Sequence, residues 1–369
     1  MRILQVSSAM TFGGGEAHLA DLVRALDERG HEVHLAVRPQ SPLEEKAASS
    51  RVAIHHVPLR NSLDVLSATR LARLIREHRI EILHAHLGRD YLPSILAASL
   101  AGCVRVVLTR HHYLPLRRNF FYRRAWGRVA RVIAVSESVR WGLITGAGLD
   151  PGQVVTIPNW VRLEDFAVLP DRAAARARLG LRRGLVIATI GQLSPAKGQE
   201  DVIRAAEIVA GHSEDGEFLL VGDDPHPDNR YEKKLRELVR RLGLEDRVRF
   251  LGYQPDLRDV WAVTDLVVVP SHAEAFSLVL LQAMAAGIAT IAYRTGGPAE
   301  ILSRGEAGRL VAVGDIPGLA AAILELMADA ERRARYGQTG REIVRLHFER
   351  ESVIARIEAL YGEVLAQGR

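Results

Sequence analysis

Runs of apolar, often β-branched residues alternate with stretches of helical periodicity along most of the chain. In the first half, strand-like runs at 2–7, 32–37, 80–85, 104–109 and 132–135 alternate with helical stretches such as 16–29, 63–78 and 91–101. Strands that are buried on both faces read as continuous apolar runs, because neither face meets water. The alternation therefore predicts an α/β fold in which helices cover a parallel sheet.

A second series of the same kind begins near residue 184. Its strand-like segments are GLVIATIG, EFLLVGD, RVRFLGY, DLVVVPS, ATIAYR and RLVAV. The stretch between the two series, NWVRLEDFAVLPDRAAARARLGLRRG, has no strand character and is interpreted as a connection. The pattern predicts two doubly wound parallel-sheet domains. In each domain a glycine-containing loop precedes a helix at an equivalent place, GGGEAHLADLV in the first and GQLSPAKGQEDVI in the second.

The composition is that of an ordinary globular protein. The chain has 369 residues, 48% of them apolar and 25% charged, which argues against disorder. Its single cysteine, Cys103, excludes an intramolecular disulfide and a cysteine-based zinc cluster. Charged residues interrupt every apolar stretch before it reaches the length of a membrane span, and MRILQVSS does not resemble a signal peptide. The sequence therefore predicts a cytoplasmic protein.

Positive charge is concentrated between Arg105 and Arg140, where nine arginines accompany a single acid, Glu137. The segment LPLRRNFFYRRAWGRV interleaves arginines with aromatic residues at helical spacing. Such a segment suits anionic lipid headgroups. The same pairing of charge and rings could hold RNA, and a solvated amphipathic helix with its rings in the core is the third interpretation. No recognised nucleic-acid motif accompanies the segment, so RNA is the least favoured of the three.

The two glycine-containing loops are candidates for ligand binding. In open α/β sheets, ligands bind at the carboxyl ends of the strands, where helix N-termini offer free amides. Glycines at 13–15 let the backbone approach a ligand closely, although they match neither the dinucleotide fingerprint nor the P-loop. Lys197 lies in the matching loop of the second domain, between Gly191 and Gly198. A flexible ammonium in that position can reach a phosphate group.

The segment HAEAFSLVLLQAMAAG at 272–287 places an acid and an amide in an otherwise small or apolar run. If a helix begins near Ser277, the amides of Phe276, Ser277 and Leu278 form an anion site at the end of the preceding strand. Glu274 is then at the mouth of this site and Gln282 about one turn inside. A carboxylate accepts hydrogen bonds from sugar hydroxyls, and an amide can also donate. The alternative is that Glu274 merely complements the helix dipole.

Together these motifs resemble the retaining GT-B glycosyltransferases of the GT4 type, which carry a Glu-x7-Glu motif. The resemblance extends over essentially the whole chain. Its landmarks are GGGE at 13–16, ILHAH at 82–86, LTRHH at 108–112, IPNWV at 157–161, GQLSPAKG at 191–198, LVGDDP at 220–225, FLGY at 250–253, TDLVVVPS at 264–271, EAFSLVLLQAMAAG at 274–287, GGPAEIL at 296–302 and GRLVAVGD at 308–315. Many loops in the correct order carry more weight than any single match.

The resemblance implies a GT-B fold, with two Rossmann-like domains that face each other across a cleft. The first domain, 1–165, is implied to bind the acceptor, and a C-terminal helix at 345–369 is implied to return to it. The second domain, 180–344, is implied to hold a nucleotide-sugar donor.

The resemblance also implies roles for individual residues. Glu274 matches the motif acid that contacts donor-sugar hydroxyls, Lys197 matches the diphosphate-binding lysine, and His111 matches a histidine close to the transferred sugar. These three form the implied catalytic set. The implied donor-binding set is Gly14, Gly15, Gln192, Phe276, Ser277, Leu278 and Gln282.

Two positions depart from the family pattern. Gln192 stands where an arginine is usual, which removes one positive charge and roughly a few kcal/mol of transition-state stabilisation if nothing replaces it. Arg294 is a candidate replacement. Gln282 stands where the ribose-binding acid is usual, and its amide can still bond a hydroxyl. An alternative function follows from these changes, a nucleotide-sugar-binding GT-B protein with weakened catalysis.

The activity that the resemblance implies is transfer of a sugar from a UDP-sugar or GDP-sugar to a hydroxyl, with retention at the anomeric carbon. The expected acceptor is a lipid-linked, lipopolysaccharide or other glycan, bound at the inner face of the plasma membrane with help from the segment Arg117–Arg128. We expect neither a cofactor nor an essential metal, and no nucleic-acid partner.

Three groups of polar residues could be taken for functional sites but have simpler interpretations. His84 and His86 share one face of a strand without a nearby acid or cysteine, which argues against zinc. The loop 223–228 occupies the place of a glycine turn, so turn chemistry is expected there. His55 and His56 have no evident partner and are interpreted as surface or strand residues.

Overall fold

A computed structural model describes residues 1–48, 51–113, 124–182 and 184–367. Contacts divide the chain into two compact units. The first is Met1–Asn159 together with Glu351–Arg369, and the second is Trp160–Arg350. The domain limits expected from the sequence, 1–165 with 345–369 and 180–344, remain a prediction about independently folding domains.

Among these residues, seven parallel strands form the sheet of the first unit, in the order β3-β2-β1-β4-β5-β6-β7. They are β1 (Arg2–Ser7), β2 (Glu32–Val37), β3 (Ala53–His56), β4 (Ile82–Ala85), β5 (Arg105–Arg110), β6 (Arg131–Ala134) and β7 (Val154–Thr156). The five strands named from the apolar runs are all present. The two outermost, β3 and β7, are short and lack a continuous apolar run, so periodicity does not mark them.

Helices cover both faces of this sheet and belong to the same unit. They are Gly14–Glu28, Leu43–Ala47, Val65–Glu77, Tyr91–Ala101, Glu137–Trp141 (continued by a π turn at Gly142–Gly146) and Arg350–Ala366. Local sequence explains several of their ends. Asp64 caps Val65–Glu77 by accepting from the Ser67 amide at 3.0 Å, and Gly102 ends Tyr91–Ala101 in a left-handed conformation at φ 79°.

The last helix, Arg350–Ala366, packs into the first unit through buried and charged contacts. The fully buried Tyr361 hydroxyl lies 2.6 Å from His84 Nδ1. Arg29 pairs with the carboxylates of Glu351 and Glu358. The end of the chain is therefore part of the first unit, although most of the sequence before it belongs to the second.

Six parallel strands form the sheet of the second unit in the order β10-β9-β8-β11-β12-β13, counting described residues. They are β8 (Val186–Ile190), β9 (Glu217–Val221), β10 (Val248–Gly252), β11 (Leu266–Val269), β12 (Ala289–Tyr293) and β13 (Gly308–Val311). The six segments predicted from the sequence supply these six strands. The central strands β8, β9, β11 and β12 are buried, as two-sided packing requires.

Helices and short 3₁₀ turns enclose the second sheet. They are Leu163–Phe166 (3₁₀), Arg172–Arg178, Pro195–Lys197 (3₁₀), Gln199–Ala210, Arg230–Arg241, Arg258–Val263, Leu278–Ala285, Gly296–Leu302, Ile316–Ala328 and Ala330–His347. The larger core lies between the sheet and one helical layer, with Ile187, Phe218 and Ile323 among its buried members. Both units are thus doubly wound parallel sheets, as the sequence predicts. No helix within the described ranges combines the length and apolar character needed to cross a membrane.

Candidate active site

Lys197 and Glu274 lie together at the point where the strand order of the second sheet reverses. The chain passes from β8 outward through β9 to β10 on one side, and from β11 through β12 to β13 on the other. The loops that follow β8 and β11 therefore leave the same sheet edge in opposite directions, which is where open α/β sheets bind ligands. Lys197 Nζ donates to Glu274 Oε2 at 2.5 Å, across 77 residues of sequence.

A close approach of two backbones holds these loops together. Gly198 has a φ of +70°, and a Cβ on it would lie 2.1 Å from the carbonyl oxygen of Pro270. Two residues before Gly198 and two residues after Pro270, the His272 amide donates to the Ala196 carbonyl at 2.9 Å. Glycine is thus required at 198 for two reasons, the left-handed backbone and the contact with Pro270.

The backbone and the carboxylate of Glu274 are both positioned by neighbours. Its carbonyl accepts from the Gly297 amide at 3.1 Å, and a Cβ on Gly297 would lie 2.4 Å from Phe276 Cα. Ser271 Oγ donates to Glu274 Oε2 at 3.1 Å. The carboxylate is therefore held by a lysine and a hydroxyl at the mouth of a small pocket that Thr189, Ser277 and Val279 also line.

The helix after this loop begins at Leu278, close to the predicted start. Ser277 is its N-cap and accepts from the Leu280 amide at 3.3 Å. The amides of Phe276, Ser277 and Leu278 donate to no other group in the part of the chain that the structure describes. Four amides at a helix start lack intrahelical acceptors, so these groups are available to an anion. Their role as the anion site stays a prediction.

The two glutamines of interest lie differently from Glu274. Gln282 is one turn inside the helix Leu278–Ala285, half-buried, and its side chain makes no hydrogen bond to the described residues. Gln192 is exposed, and its carbonyl accepts from Gln199 Nε2 at 2.9 Å. Arg294 is also exposed and directly follows β12, the neighbour of β11. Its side chain is therefore attached at the same sheet edge as that of Glu274.

A second polar group next to this site was not found from the sequence. Asp201 Oδ2 accepts from the Tyr293 hydroxyl and from His272 Nε2, both at 2.8 Å. The three residues come from a helix, a strand end and a loop that are far apart in sequence, so no motif marks them. Burial and the adjacent Asp201 carboxylate raise the pKa of Tyr293, which keeps its hydroxyl protonated as a donor.

The glycine loop of the first unit lies at the corresponding reversal, between β1 and β4. The helix begins at Gly14, with Gly13 as its N-cap. None of the three glycines has a positive φ, and a Cβ on Gly15 would meet nothing within 4 Å. The local fold therefore does not require glycine at 15. Donor binding by Gly14 and Gly15 stays a prediction.

A buried carboxyl beside that loop was also missed. Asp90 is fully buried and accepts from the Ser8 amide at 2.8 Å, which joins the ends of β4 and β1. Burial raises its pKa to about 7, although the Ser8 hydrogen bond opposes the shift. A single aspartate at the start of a helix carries no signal of this in the sequence.

His111 is half-buried and follows β5, next to the buried imidazoles of His18 and His86. Its ring centroid lies 5.8 Å from that of His18 and 5.8 Å from that of His86. Both ring nitrogens of His111 are shielded from solvent, and no described residue bonds them. An unpaired buried polar group costs about 1–3 kcal/mol, so these nitrogens are candidates to bond a ligand.

These imidazoles are neutral at physiological pH. Burial and, to a smaller extent, the charges of His112 and Arg110 together lower the pKa of His111 to about 3. Burial likewise lowers the pKa of His84 to about 3 and holds those of His18 and His86 well below their ordinary value. His111 can therefore donate or accept a hydrogen bond, but it is not a base that titrates near pH 7.

His84 and His86 both have hydrogen-bond partners within the protein. His84 bonds the Tyr361 hydroxyl and, at 2.7 Å, Thr109 Oγ1. His86 Nε2 lies 2.7 Å from Gln5 Oε1, an oxygen that can only accept, so Nε2 carries the proton.

Turn chemistry is confirmed in the loop at 223–228. The Asp224 carboxylate accepts from the amides of His226, Tyr231 and Glu232.

Within the arginine-aromatic segment, 114–123 lies outside the described residues. Of the remainder, Trp126 is buried with its ring centroid 6.0 Å from that of Tyr91.

Comparison with known proteins agrees with the fold. The family described as glycosyl transferases group 1 matches residues 171–343, and glycosyltransferase family 4 matches residues 12–165. N-acetyl-alpha-D-glucosaminyl L-malate synthase of Bacillus anthracis is 29% identical over 96% of this chain and 94% of its own. The lipopolysaccharide core biosynthesis glycosyltransferase LpsE of Rhizobium meliloti is 28% identical over 92% of this chain and 93% of its own.

A solved structure supports the architecture over its full length. Anabaena HepE in complex with UDP superposes with a TM-score of 0.87, at 24% identity, over 98% of this chain and 100% of that one. At that identity the likeness concerns the fold, while the two family matches together extend from residue 12 to residue 343. The chain therefore belongs to the GT4-type glycosyltransferases with the GT-B fold, and it is a glycosyltransferase.

Proposed function

We propose that this enzyme transfers a sugar, with retention of anomeric configuration, from a UDP-sugar or GDP-sugar to a hydroxyl of a lipid-linked or polysaccharide acceptor. The observation that carries the proposal is the meeting of Lys197 and Glu274 at the strand-order reversal of the second sheet, 2.5 Å apart. A cation suits a diphosphate and a carboxylate suits sugar hydroxyls. Their placement beside free helix amides provides for both halves of a nucleotide sugar.

The second unit holds the donor in this proposal. Lys197 and the amides of Phe276, Ser277 and Leu278 bind the diphosphate, and Glu274 accepts from sugar hydroxyls. Gln282, deeper in the helix, takes the place of the ribose-binding acid. Lys197 and Glu274 neutralise each other in the free protein. When the donor binds, its diphosphate becomes the partner of Lys197 and its sugar hydroxyls become the partners of Glu274.

Departure of the diphosphate is assisted by fixed positive charge rather than by an essential metal. Lys197 and the helix amides stabilise the negative charge that develops on the leaving oxygen, as preorganised donors do in general. No side chain is assigned as nucleophile. The acceptor hydroxyl attacks from the side of the leaving group, and a diphosphate oxygen takes its proton. His111 stays neutral and hydrogen-bonds the transferred sugar.

The alternative is a nucleotide-sugar-binding protein with weakened catalysis. Gln192 favours it, because this exposed side chain brings no charge where an arginine is usual. Arg294 favours the enzyme, because it can supply the missing positive charge. It is exposed and directly follows β12, the strand next to the one that precedes Glu274. Transfer and donor hydrolysis, measured with a panel of UDP-, GDP- and ADP-sugars, separate the two. Nucleotide-sugar binding without turnover for any donor and acceptor supplied would establish the alternative.

Replacing Glu274 by alanine should reduce sugar transfer roughly tenfold or more, because the carboxylate contacts hydroxyls that only the intact donor carries. Affinity for the bare nucleoside diphosphate should stay within a few-fold of the native value. Transfer assays and calorimetric titration of UDP or GDP measure the two quantities. Ser271→Ala is the matched control, since it removes the 3.1 Å hydrogen bond to the carboxylate but keeps the charge. Equal losses of transfer and diphosphate affinity in Glu274→Ala would show instead that the residue is a structural cap.

The acceptor side of the proposal rests on the first unit. A pocket of about 370 Å³ lies between the starts of helices Val65–Glu77 and Tyr91–Ala101, with Arg124 and Arg128 on its wall. Leu63 is 79% exposed and Val65 60% exposed at its rim. Exposed apolar side chains beside arginines fit the boundary between acyl chains and anionic headgroups. The name of the Rhizobium relative, which refers to lipopolysaccharide, points to the same class of acceptor.

Binding to anionic liposomes should therefore be measurable at low salt and should weaken as salt rises. Each basic residue near an anionic leaflet contributes about 1 kcal/mol, and this attraction is screened. The variant Arg117→Glu/Arg118→Glu/Arg123→Glu/Arg124→Glu should lose binding. A matched variant with the same change of charge in the second unit, Arg230→Glu/Arg236→Glu/Arg240→Glu/Arg241→Glu, should retain more of it. Sedimentation with phosphatidylglycerol vesicles measures all three proteins.

A second variant tests the contribution of the exposed apolar side chains at the pocket rim. Leu63→Ser/Val65→Ser should reduce vesicle binding at high salt, where charge attraction is already screened. If the native protein ignores anionic vesicles at low salt, the membrane proposal is wrong. The acceptor is then a soluble hydroxyl compound, of the kind that the malate in the name of the Bacillus anthracis relative represents.

A further inference from the structure

Three histidines from separate elements lie together at the edge of the first sheet. His34 is on β2, His55 is on the edge strand β3, and His78 directly follows helix Val65–Glu77. One nitrogen from each ring can be chosen so that all three lie within 4.8 Å of one another. The ring centroids are 4.5 to 5.2 Å apart. We call this group the histidine cluster.

Strand register explains why two of these side chains share a face. His34 is paired with Ala53 in the parallel ladder between β2 and β3. Side chains alternate along a strand, so His55, two residues beyond Ala53, points to the same side as His34. His56 points to the opposite side and pairs with Glu44 at 3.2 Å. The covering helix ends over the shared face and adds His78.

The protonation pattern of His34 is that of a metal ligand. Its Nε2 lies 3.1 Å from the Glu32 carboxylate, which can only accept, so Nε2 carries the proton. The lone pair is then on Nδ1, which lies 2.9 Å from His55 Nε2. Metal-bound histidines typically donate their second ring N–H to a carboxylate in this way, because the bond fixes the tautomer and the ring orientation.

We propose that His34, His55 and His78 bind one divalent transition-metal ion of the zinc type. Three imidazoles, with water in a fourth position, satisfy tetrahedral zinc. Nitrogens at about 2.0–2.1 Å from a tetrahedral ion are about 3.3 Å apart, so modest rotations of the two partly exposed rings, His55 and His78, complete the site. The ion ties the edge strand β3 to β2 and to the helix end. Its role is structural, at a place remote in sequence from Lys197 and Glu274.

The test uses the full chain without an affinity tag, after metal removal with a chelator. Calorimetric titration with Zn²⁺ at pH 7.5 should show one ion per chain. Co²⁺ should give the visible absorbance of a tetrahedral nitrogen site. Zn²⁺ at about 100 times its dissociation constant should raise the melting temperature by about 5 °C, because it binds the folded state preferentially.

Variants at the partly exposed ligands decide whether the cluster holds the ion. His55→Ala and His78→Ala should each weaken Zn²⁺ binding at least roughly tenfold, and they should lose the thermal shift. His56→Ala, the neighbour on the opposite face, and His212→Ala in the second unit should bind as the native chain does. Circular dichroism checks that each variant is folded. Absence of Zn²⁺ binding by the native chain, or native affinity in a folded His55→Ala/His78→Ala protein, would overturn the proposal.

Discussion

Replacing Lys197 by alanine should lower turnover by about two orders of magnitude, because it removes the fixed cation that stabilises the departing diphosphate. Among the residues that the structure brings to this sheet edge, Lys197 is held closest to Glu274, and the arginine that usually assists it is replaced by Gln192. Steady-state kinetics with the preferred nucleotide sugar measure the loss. Both kcat and kcat/KM should fall, since the charge acts mainly in the transition state.

Three control variants separate charge from structure at Lys197. Lys197→Arg should recover part of the activity, because it restores a cation, whereas Lys197→Gln should not. Lys233→Ala changes an exposed lysine on helix Arg230–Arg241 and should leave turnover unchanged. Native kinetics in a folded Lys197→Ala protein would contradict the assignment of this residue to the diphosphate.

Alanine at Gly198 should destabilise the second unit by about 3 kcal/mol or more. The added methyl would lie 2.1 Å from the Pro270 carbonyl oxygen, and the backbone φ of +70° is itself unfavourable for alanine. If the protein folds, the loops after β8 and β11 must separate, which breaks the hydrogen bond from His272 to Ala196. Thermal or urea unfolding measures the stability, and the transfer assay should show that most activity is lost.

Gly15→Ala is the matched substitution at a glycine without these constraints. Its φ is not positive and its Cβ would meet nothing within 4 Å. The free energy of unfolding should be unchanged or rise by up to about 1 kcal/mol, since alanine favours helix more than glycine does. Turnover should nevertheless fall if the donor contacts this loop as the sequence predicts, because the methyl would occupy the space next to the backbone. Equal stability losses in the two variants would contradict the close-approach argument for Gly198.

Most residues of the proposed site could be named from the sequence because each sits in a recognisable loop. Lys197 lies between glycines before a helix, and Glu274 lies between a strand and a helix start. A strand–loop–helix pattern is local, so the sequence indicates which loops face a ligand. The start of the helix at Leu278 and the six strands of the second sheet agree with that expectation.

Other features of the site depend on contacts between distant segments. Asp201, His272 and Tyr293 meet only because the chain reverses its strand order between β8 and β11. The raised pKa of Asp90 depends on its complete burial, which a single aspartate in the sequence does not reveal. Neither a hydrophobic period nor a motif encodes these distances, since they arise from packing across tens of residues.

The histidines show the same division between local pattern and tertiary contact. Alternation along β4 predicts that His84 and His86 share a face, but their partners Tyr361 and Gln5 lie far away in the sequence and are shown only by the structure. Likewise, no partner for His55 is evident from the sequence. Its partners, His34 and His78, come from another strand and from a helix end.

The sequence by itself determined the class of most segments, the two parallel sheets and the loops that precede the helices, because apolar periodicity records whether each face of a segment is buried. The tertiary structure alone decided which loops meet. Lys197 reaches Glu274 because β8 and β11 are neighbours and Gly198 lets their loops touch. The physical reason is that strand order follows from the packing of whole helices and sheets, whose contacts join residues with no periodic relation in the chain.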